Sequence, residues 1–543
     1  MLNTLLNTSA RLLLAGFLLA APTATAQRAA GPGRPTDYLD PAFHKQRREL
    51  LRQALPPGSV AVLFASPVRN RANDVDYIYH QHPDFYYLTG YDEPEAVLVL
   101  FKEPQTVNGQ AGVTEALFVQ PRDPRAEQWT GRRLGADGAR QQLKVQYVAD
   151  NKEFAKAGIR WADFKQVHFL PLPTDARNDP DDPADLFDLV ATFRQQAAVP
   201  ADFNPAVAEA HKLIQQYGAT AADRLRPYLQ GMPAAVQQDA YVQSYLAAKN
   251  DAERRRAVAA KPAGRYDTQT LDEALSQLRE VKTPEELALL RRAIRISTAG
   301  QREVMKAVRP DMGEMEVQGL HEYVYKKYGA EFEGYPSIVG AGNNACVLHY
   351  TQNDKPRLGT DLLLMDCGAE YHGYTADVTR TVPPSGKFSP EQKQLYELVL
   401  AAQEAGFRAC KAGNEFQAPG KAAQQVIAEG LLKLGIIKKA EDVRTYFPHG
   451  TSHYLGLDVH DRGTYGPLKA GNVITVEPGI YIPEGSPCDK KWWNIGVRIE
   501  DDILITGTGY ENLSADAPRT VADIEALMAQ PSALDDFKLP ELK

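Results

Sequence analysis

Short apolar runs alternate with turn-forming clusters over the first third of the chain. A helical stretch begins near Phe43 and runs into Pro56-Pro57-Gly58. Ser59-Val60-Ala61-Val62-Leu63-Phe64 then reads as a buried strand. FYYLTGY (85–91), AVLVLF (96–101) and ALFVQ (116–120) continue the alternation of strand and turn, which predicts an α/β domain. The pattern changes from 173 to 275. DARNDPDDPADLF (175–187) is an acidic, Pro-punctuated loop, followed by Ala-rich, Gln-rich and charged segments of helical period. This stretch is expected to connect two halves. The next boundary is Thr283-Pro284-Glu285-Glu286, a capping box with Pro at the first helical position. Leu287, Leu290, Ile294 and Thr298 then share one helical face. Helices and strands follow to about Leu513.

Length and composition bound this picture. The chain has 543 residues, enough for roughly two to four domains. Hydrophobic residues make up 43% and charged residues 24%, as in an ordinary globular protein. Near the N-terminus, Arg11 precedes the apolar run LLLAGFLLAA (12–21), and Ala24-Thr25-Ala26 follows. This predicts a secretory signal peptide over 1–26, cleaved after Ala26. The run falls well short of the ~20 apolar residues that span a bilayer, so no stable membrane anchor is expected, and the localisation is periplasmic or secreted. The formal charge is −8, and Arg11 is the only charged residue of the signal, which makes the mature chain −9. With no long basic run, nucleic acid is not a partner. The four cysteines, Cys346, Cys367, Cys410 and Cys488, are too few for a disulfide scaffold of this length. Export allows one bridge, which spacing does not choose, and Cys367 reads as a small buried hydrophobe.

The stretch MDCGAEYHGYTADVTRT (365–381) carries the first chemical signal. It reads as two strands around a turn, led by the apolar Leu362-Leu363-Leu364-Met365. With the turn at Tyr371-His372, Asp366 and Asp377 sit directly opposite on one face. Like charges so placed repel, and a shared divalent cation reverses that sign because hard cations seek carboxylate oxygens.

Further ligand types follow. PHGTSHYLGLDVHD (448–461) holds His449, His453 and His460 among small residues that let backbone approach closely. VITVEPGIY (473–481) interrupts an apolar strand with Glu477, a costly residue to bury unpaired. NIGVRIEDD (494–502) is strand-like, with Val497 and Ile499 on one face and Arg498 and Glu500 on the other. Four carboxylates with one or more histidines suit a two-metal site. The oxygen-rich set favours Mn, Co, Fe or Zn over a thiolate metal. Such a site makes hydroxide at neutral pH and polarises a carbonyl, so the implied chemistry is hydrolysis.

In that order Asp366, Asp377, His453, Glu477 and Glu500 resemble the five metal ligands of the pita-bread metallopeptidases, and within them the aminopeptidase P (Xaa-Pro aminopeptidase) family. The resemblance covers about 285 to 528, and FYYLTGYDEPEAVLVLF and PRDPRAEQWTGRRLG resemble the family's N-terminal domain. The segment 173–275 departs from the family pattern. The implied fold class is α/β (α+β), a pita-bread catalytic domain behind a smaller α/β domain. The expected division is 1–26 signal, 27–172 N-terminal domain, 173–274 a mostly helical link, 275–528 catalytic domain and 529–543 tail.

The resemblance also implies roles. Asp377 and Glu500 bridge two divalent ions per chain, Mn²⁺ before Co²⁺, Fe²⁺ or Zn²⁺. Asp366 chelates the second ion, and His453 and Glu477 bind the first. A bridging hydroxide attacks the scissile carbonyl, with Glu477 handling its proton. His349 and His460 bind substrate and stabilise the tetrahedral intermediate. Arg498 and Tyr481 form a supporting pair beside the metals, Tyr481 counting among the substrate contacts, and His449 is a nearby histidine on the substrate side. The implied activity is removal of the N-terminal residue from peptides with proline second, by a homo-oligomer. Xaa-Pro dipeptidase shares all five ligands, as does methionine aminopeptidase, which usually lacks so large an N-terminal domain. Pita-bread domains that act only as binding modules have lost their ligands, whereas all five positions are filled here.

Overall fold

Period-two alternation puts Val60, Val62 and Phe64 on one face of the strand Ser59–Phe64 and Ala61 and Leu63 on the other, and both faces are buried. A strand covered on both sides belongs inside a sheet layered by helices. The structure, a computed structural model, describes residues 37–262 and 264–535. The expected signal over 1–26 lies outside them. The sheet has six strands in the order Tyr147–Asp150, Gln110–Val119, Val97–Val107, Ser59–Phe64, Gln166–Phe169, Tyr266–Asp267. The pairs Ser59–Phe64 with Val97–Val107, and Val97–Val107 with Gln110–Val119, are antiparallel, and the others are parallel.

Two parts of this half differ from the sequence expectation. FYYLTGY is not a strand: Pro83–Thr89 is a helix. The His82 side chain accepts from the Asp84 amide, Pro83 opens the first turn, and Gly90 closes the helix at φ 66°. The aromatic run reads as a strand because it is buried nearly all round, which erases its helical period. The segment 173–274 is also more than a link. Its helix Leu186–Gln196 packs on the sheet, and Tyr266–Asp267 is the sheet's edge strand. The helices from Pro205 to Ala259 form an excursion with its own small core around Ile214, Leu229 and Tyr245.

The second half is built on the helix Pro284–Ala307. Its capping box is formed as expected, and Leu290, Ile294 and Thr298 are buried. Helices Glu314–Lys327, Pro390–Ala409 and Ala418–Lys433 surround small antiparallel sheets. One sheet orders Ile338–Ala341, Leu363–Asp366 and Thr379–Val382; another orders Val473–Val476, Asp501–Ile505 and Tyr510–Asn512; Gly479–Ile482 pairs with Ile495–Arg498. The expected α/β (α+β) class holds. One apolar core runs through both halves, joining Phe43, Leu51 and Tyr87 to Leu290, Ile294 and Met365.

The hairpin register differs from the expected one. Asp366 pairs with Thr379, and Tyr371 pairs with Tyr374. The turn is therefore His372-Gly373, both at positive φ (51° and 84°), as a two-residue hairpin turn favours. Asp377 still lies on the same face as Asp366, one diagonal step away, because the shift is by two residues. Among the described residues no helix is long and apolar enough to cross a membrane. The four cysteines are free, and Cys367 is buried in the core as its sequence setting suggests.

The capping box carries a test. Thr283→Ala should lower the stability of the catalytic half by about 1 kcal/mol, read as a lower thermal midpoint. Thr283→Ser should restore it. An unchanged midpoint in the alanine variant would show that the helix start is held without the Thr283 hydroxyl, by packing and by the residue 283 amide donating to Glu286.

Candidate metal centre

The carboxylates sit where strands end. Asp366 closes the strand Leu363–Asp366, and Glu477 follows Val473–Val476. Glu500 lies in the break between Ile495–Arg498 and Asp501–Ile505. Asp377 precedes Thr379–Val382. Strand ends deliver side chains to one point without breaking a ladder. Around that point lies a cavity of about 670 Å³, lined by His349, Asp366, Asp377, His449, His453, His460, Glu477, Arg498 and Glu500. Tyr481 alone among the expected site residues does not line it. It is buried behind His449 and Arg498.

Each acid has a distinct setting. Asp366 accepts from Arg498 Nη2 at 2.6 Å, and its other oxygen lies 2.7 Å from the Tyr335 hydroxyl. Burial alone would raise its pKa, but the Arg498 charge and these hydrogen bonds outweigh it and hold the carboxyl below the usual value. Asp377 Oδ1 lies 2.6 Å from the same Tyr335 hydroxyl. Burial and the Asp366 charge push Asp377 up. Glu500 accepts from Thr379 Oγ1 at 2.6 Å, and burial with three neighbouring carboxylates raises it far above normal. Burial raises Glu477 to about 7.

The histidines are oriented by their backbone partners. His453 Nδ1 meets the Tyr454 carbonyl at 3.0 Å, which turns Nε2 to within 3.4 Å of both Asp377 and Glu477. Burial opposes its charge, but those two carboxylates lift it to about 9. His449 is held neutral, with a pKa lowered to about 4 by burial and by Arg498. Its Nδ1 faces the Gly450 carbonyl at 2.6 Å, so that nitrogen carries the proton. Nε2 therefore accepts from the Tyr481 hydroxyl at 2.8 Å, and Tyr481 in turn accepts from Arg498 Nη1 at 3.0 Å. His460 is lowered to about 4 by burial and by His453, whose ring is 4.2 Å away. His349 is exposed on the cavity wall.

These residues fit divalent cations. Asp377, His453 and Glu500 each offer a ligand atom, and these atoms lie within 4.8 Å of one another. Asp366 and Glu477 border them, one His453 nitrogen is fixed by a carbonyl, and the donor set is mostly carboxylate oxygen.

Family comparison agrees with this geometry. Residues 288–507 match the model of metallopeptidase family M24, and residues 44–163 match the aminopeptidase P N-terminal domain. The chain belongs to metallopeptidase family M24. It is 36% identical over 496 residues to the Xaa-Pro aminopeptidase of Escherichia coli (strain K12), covering 89% of this chain and 97% of that one. It is 29% identical over 521 residues to human Xaa-Pro aminopeptidase 3, covering 92% and 88%. The solved structure of E. coli aminopeptidase P with the inhibitor Pro-Leu superposes with a TM-score of 0.69 at 32% identity, covering 90% of this chain and 98% of that one. The M24 chain described here is thus a metallo-aminopeptidase with the expected pita-bread catalytic domain.

Several residues of the site escape the sequence reading. Tyr335 places one hydroxyl between Asp366 and Asp377. Thr379 holds Glu500. Arg380 donates to the Glu500 carbonyl at 2.6 Å and to Asp501 at 2.7 Å. Asp502 accepts from the Asp377 amide at 3.2 Å. Thr379 and Arg380 lie inside the quoted hairpin, and two more acids follow Glu500 in RIEDD. Tyr335 carries no such mark.

The raised groups set a pH dependence. Glu477 and His453 both bind protons more tightly folded than unfolded, so their contribution to the stability of the chelated protein falls as pH rises, whereas the lowered His449 and His460 add stability as pH rises toward 6.5. The Glu477 contribution falls between its ordinary value of 4.5 and about 7, and that of His453 between 6.5 and about 9. Above pH 6.5 His449 and His460 are neutral folded and largely neutral unfolded, so thermal midpoints of chelated protein should decline between about 6.5 and 9 as His453 loses its proton, and saturating Mn²⁺ should offset that decline. A midpoint that rises with pH between 6.5 and 9 in chelator would contradict the assignment.

Proposed function

We propose that this protein is an exported, dinuclear Xaa-Pro aminopeptidase. It releases the N-terminal residue from peptides with proline second. The observation that carries this reading is the convergence of Asp366, Asp377, His453, Glu477 and Glu500 on one cavity whose wall also holds His349, His449 and His460. Support for the proline preference comes from the relatives named Xaa-Pro aminopeptidase. Support for export comes from the apolar run 12–21 and the Ala24-Thr25-Ala26 site. The proposed ligands are Asp377 and Glu500 for both ions, His453 and Glu477 for the first and Asp366 for the second, with Mn²⁺ as the leading metal. Exposed Tyr77, Ile78 and Trp129 on the N-terminal half support a homo-oligomer.

Bound divalent ions supply Lewis acidity to the scissile carbonyl and a deprotonated water at neutral pH. The protein groups do the rest. Glu477, a carboxylate on the cavity wall, takes a proton and returns it. The return matters because proline nitrogen has no hydrogen in the peptide and must gain one on leaving. His460 and His349, on the cavity wall, donate to the carbonyl oxygen as charge develops. Arg498 fixes Asp366 on one side and the Tyr481–His449 pair on the other.

Two experiments test this. Arg-Pro-Pro should be cleaved with Mn²⁺ and lose cleavage on chelation, while the dipeptide Ala-Pro is spared. Cleavage of Ala-Pro alone would move the assignment to Xaa-Pro dipeptidase, and cleavage of neither under several divalent ions would remove the proline preference. Asp377→Ala and Glu500→Ala should each abolish turnover and lose bound metal by elemental analysis. Full metal and full activity in either variant would overturn the ligand set.

A further inference from the structure

His460 is weakly held by its own contacts. Among the described residues its ring has no hydrogen-bond partner. Its amide meets Asp458 Oδ1 at 3.3 Å, and its ring lies against His453. Its aim into the cavity is therefore set by the loop backbone. That loop doubles back on itself: the Asp461 amide donates to the Tyr454 carbonyl at 2.9 Å. The fold-back needs Gly456, where a Cβ would come within 2.1 Å of Asp461 Oδ2. The closed loop brings the residue after Ser452 and the residue before Asp461 face to face, which is why the two imidazoles meet.

The Asp461 side chain is the loop's anchor. It is 2% exposed. Lys282 Nζ donates to Oδ2 at 2.8 Å, and Arg279 donates to Oδ1. Arg279 lies near the end of the helix Gln269–Glu280 and is itself 3% exposed. Its other terminal nitrogen donates to Asp84 Oδ1 at 2.6 Å. Asp84 belongs to the first turn of the N-terminal-half helix Pro83–Thr89, and its second oxygen accepts from Arg462 Nε at 2.8 Å. One guanidinium thus spans from a carboxylate of the N-terminal half to the residue that follows His460. Such a planar fork fixes direction as well as distance.

We propose that Asp84 and Arg279 are positioning residues for His460, so that the N-terminal half acts on catalysis through the Asp84–Arg279–Asp461 bridge. Asp84 touches neither the cavity nor any metal-ligand candidate. Its loss frees Arg279 to turn from Asp461 and lets the loop relax, which displaces the His460 ring from the carbonyl oxygen it serves. The inference rests on the reading of His460 as the group that stabilises developing charge there.

The test is a double-mutant cycle in the full, Mn²⁺-loaded chain on Arg-Pro-Pro, with bound metal and thermal midpoint measured for every variant. Asp84→Asn should lower kcat about tenfold to a hundredfold, as a small misplacement of a catalytic group does, with KM and metal content close to wild type. In the His460→Ala background Asp84→Asn should lower kcat no further. Asp84→Glu should recover part of the loss. If Asp84→Asn does not fold, Arg279→Lys, which keeps the charge and loses the fork, takes its place in the same cycle. Losses that multiply in the double variant, or that follow lost metal, would overturn the inference. Wild-type turnover in the same series separates the two readings. An active wild type with multiplying losses sinks only the bridge, whereas a wild type inactive on every Xaa-Pro peptide sinks the reaction and the bridge together.

Discussion

Four carboxylates crowd into one cavity, and much of the catalytic half is arranged to tolerate that. At an effective dielectric near 20, two charges about 4 Å apart repel by about 4 kcal/mol, and several such pairs would unfold an ordinary domain. The protein meets the repulsion in two ways. It supplies two cations, the buried Arg498 guanidinium, which is spent on Asp366, and the His453 imidazole, shared between Asp377 and Glu477. It leaves Asp377, Glu477 and Glu500 as strained acids with raised pKa values. The single Tyr335 proton serves both aspartates of the hairpin, so it cannot satisfy both fully. A site that is incompletely neutralised by its own side chains favours bound cations.

The scaffold behind the acids is made of residues that never face substrate. Arg380 is fully buried and ties the hairpin to the Glu500 carbonyl, to Asp501 and to the carbonyl of Ala517. Gln403 reaches from the helix Pro390–Ala409 to the Val476 and Ile499 carbonyls, at the ends of the two strands that deliver Glu477 and Glu500. Gln301 does the same for the Met365 and Val378 carbonyls beside the aspartates. Strands that stop at a metal centre leave ladder carbonyls without partners, and a buried amide donor is the natural repair. The two glutamines mark where each helix is pinned to the site.

The candidate ligands were legible because buried acids are rare enough to stand out against apolar strands. Asp366 after four apolar residues and Glu477 within VITVEPGIY are visible for that reason. The hairpin register was less legible. Gly373 was as good a turn residue as Tyr371 was a poor one, yet the symmetry of two facing aspartates favoured the wrong centre, and only the shift by an even number kept both acids on one face. FYYLTGY failed for a different reason: its helix is so enclosed that no polar stripe survives to show the period. Tyr335 and the Asp84–Arg279–Asp461 bridge were not legible at all. They are contacts between segments far apart in sequence, and an isolated Tyr, Asp or Arg carries no spacing signal.

The bridge also changes how the two halves relate. A shared apolar core holds them together but fixes no particular angle between them, since apolar contact is non-directional. Directionality comes from the buried ions. Asp84, Arg279, Lys282, Asp461 and Arg462 form one connected set at the junction. Buried ion pairs are poor sources of net stability, because desolvation consumes most of their attraction. Their use here is geometric. The set contains three cations against two anions, and Arg462 finds a further acid in Asp272. That balance is met only when the helix Pro83–Thr89, the helix Gln269–Glu280 and the loop after His460 come together at one setting. An apolar replacement of similar volume would keep the halves packed and lose that setting, which is the physical reason to look for the effect in turnover and not in the thermal midpoint.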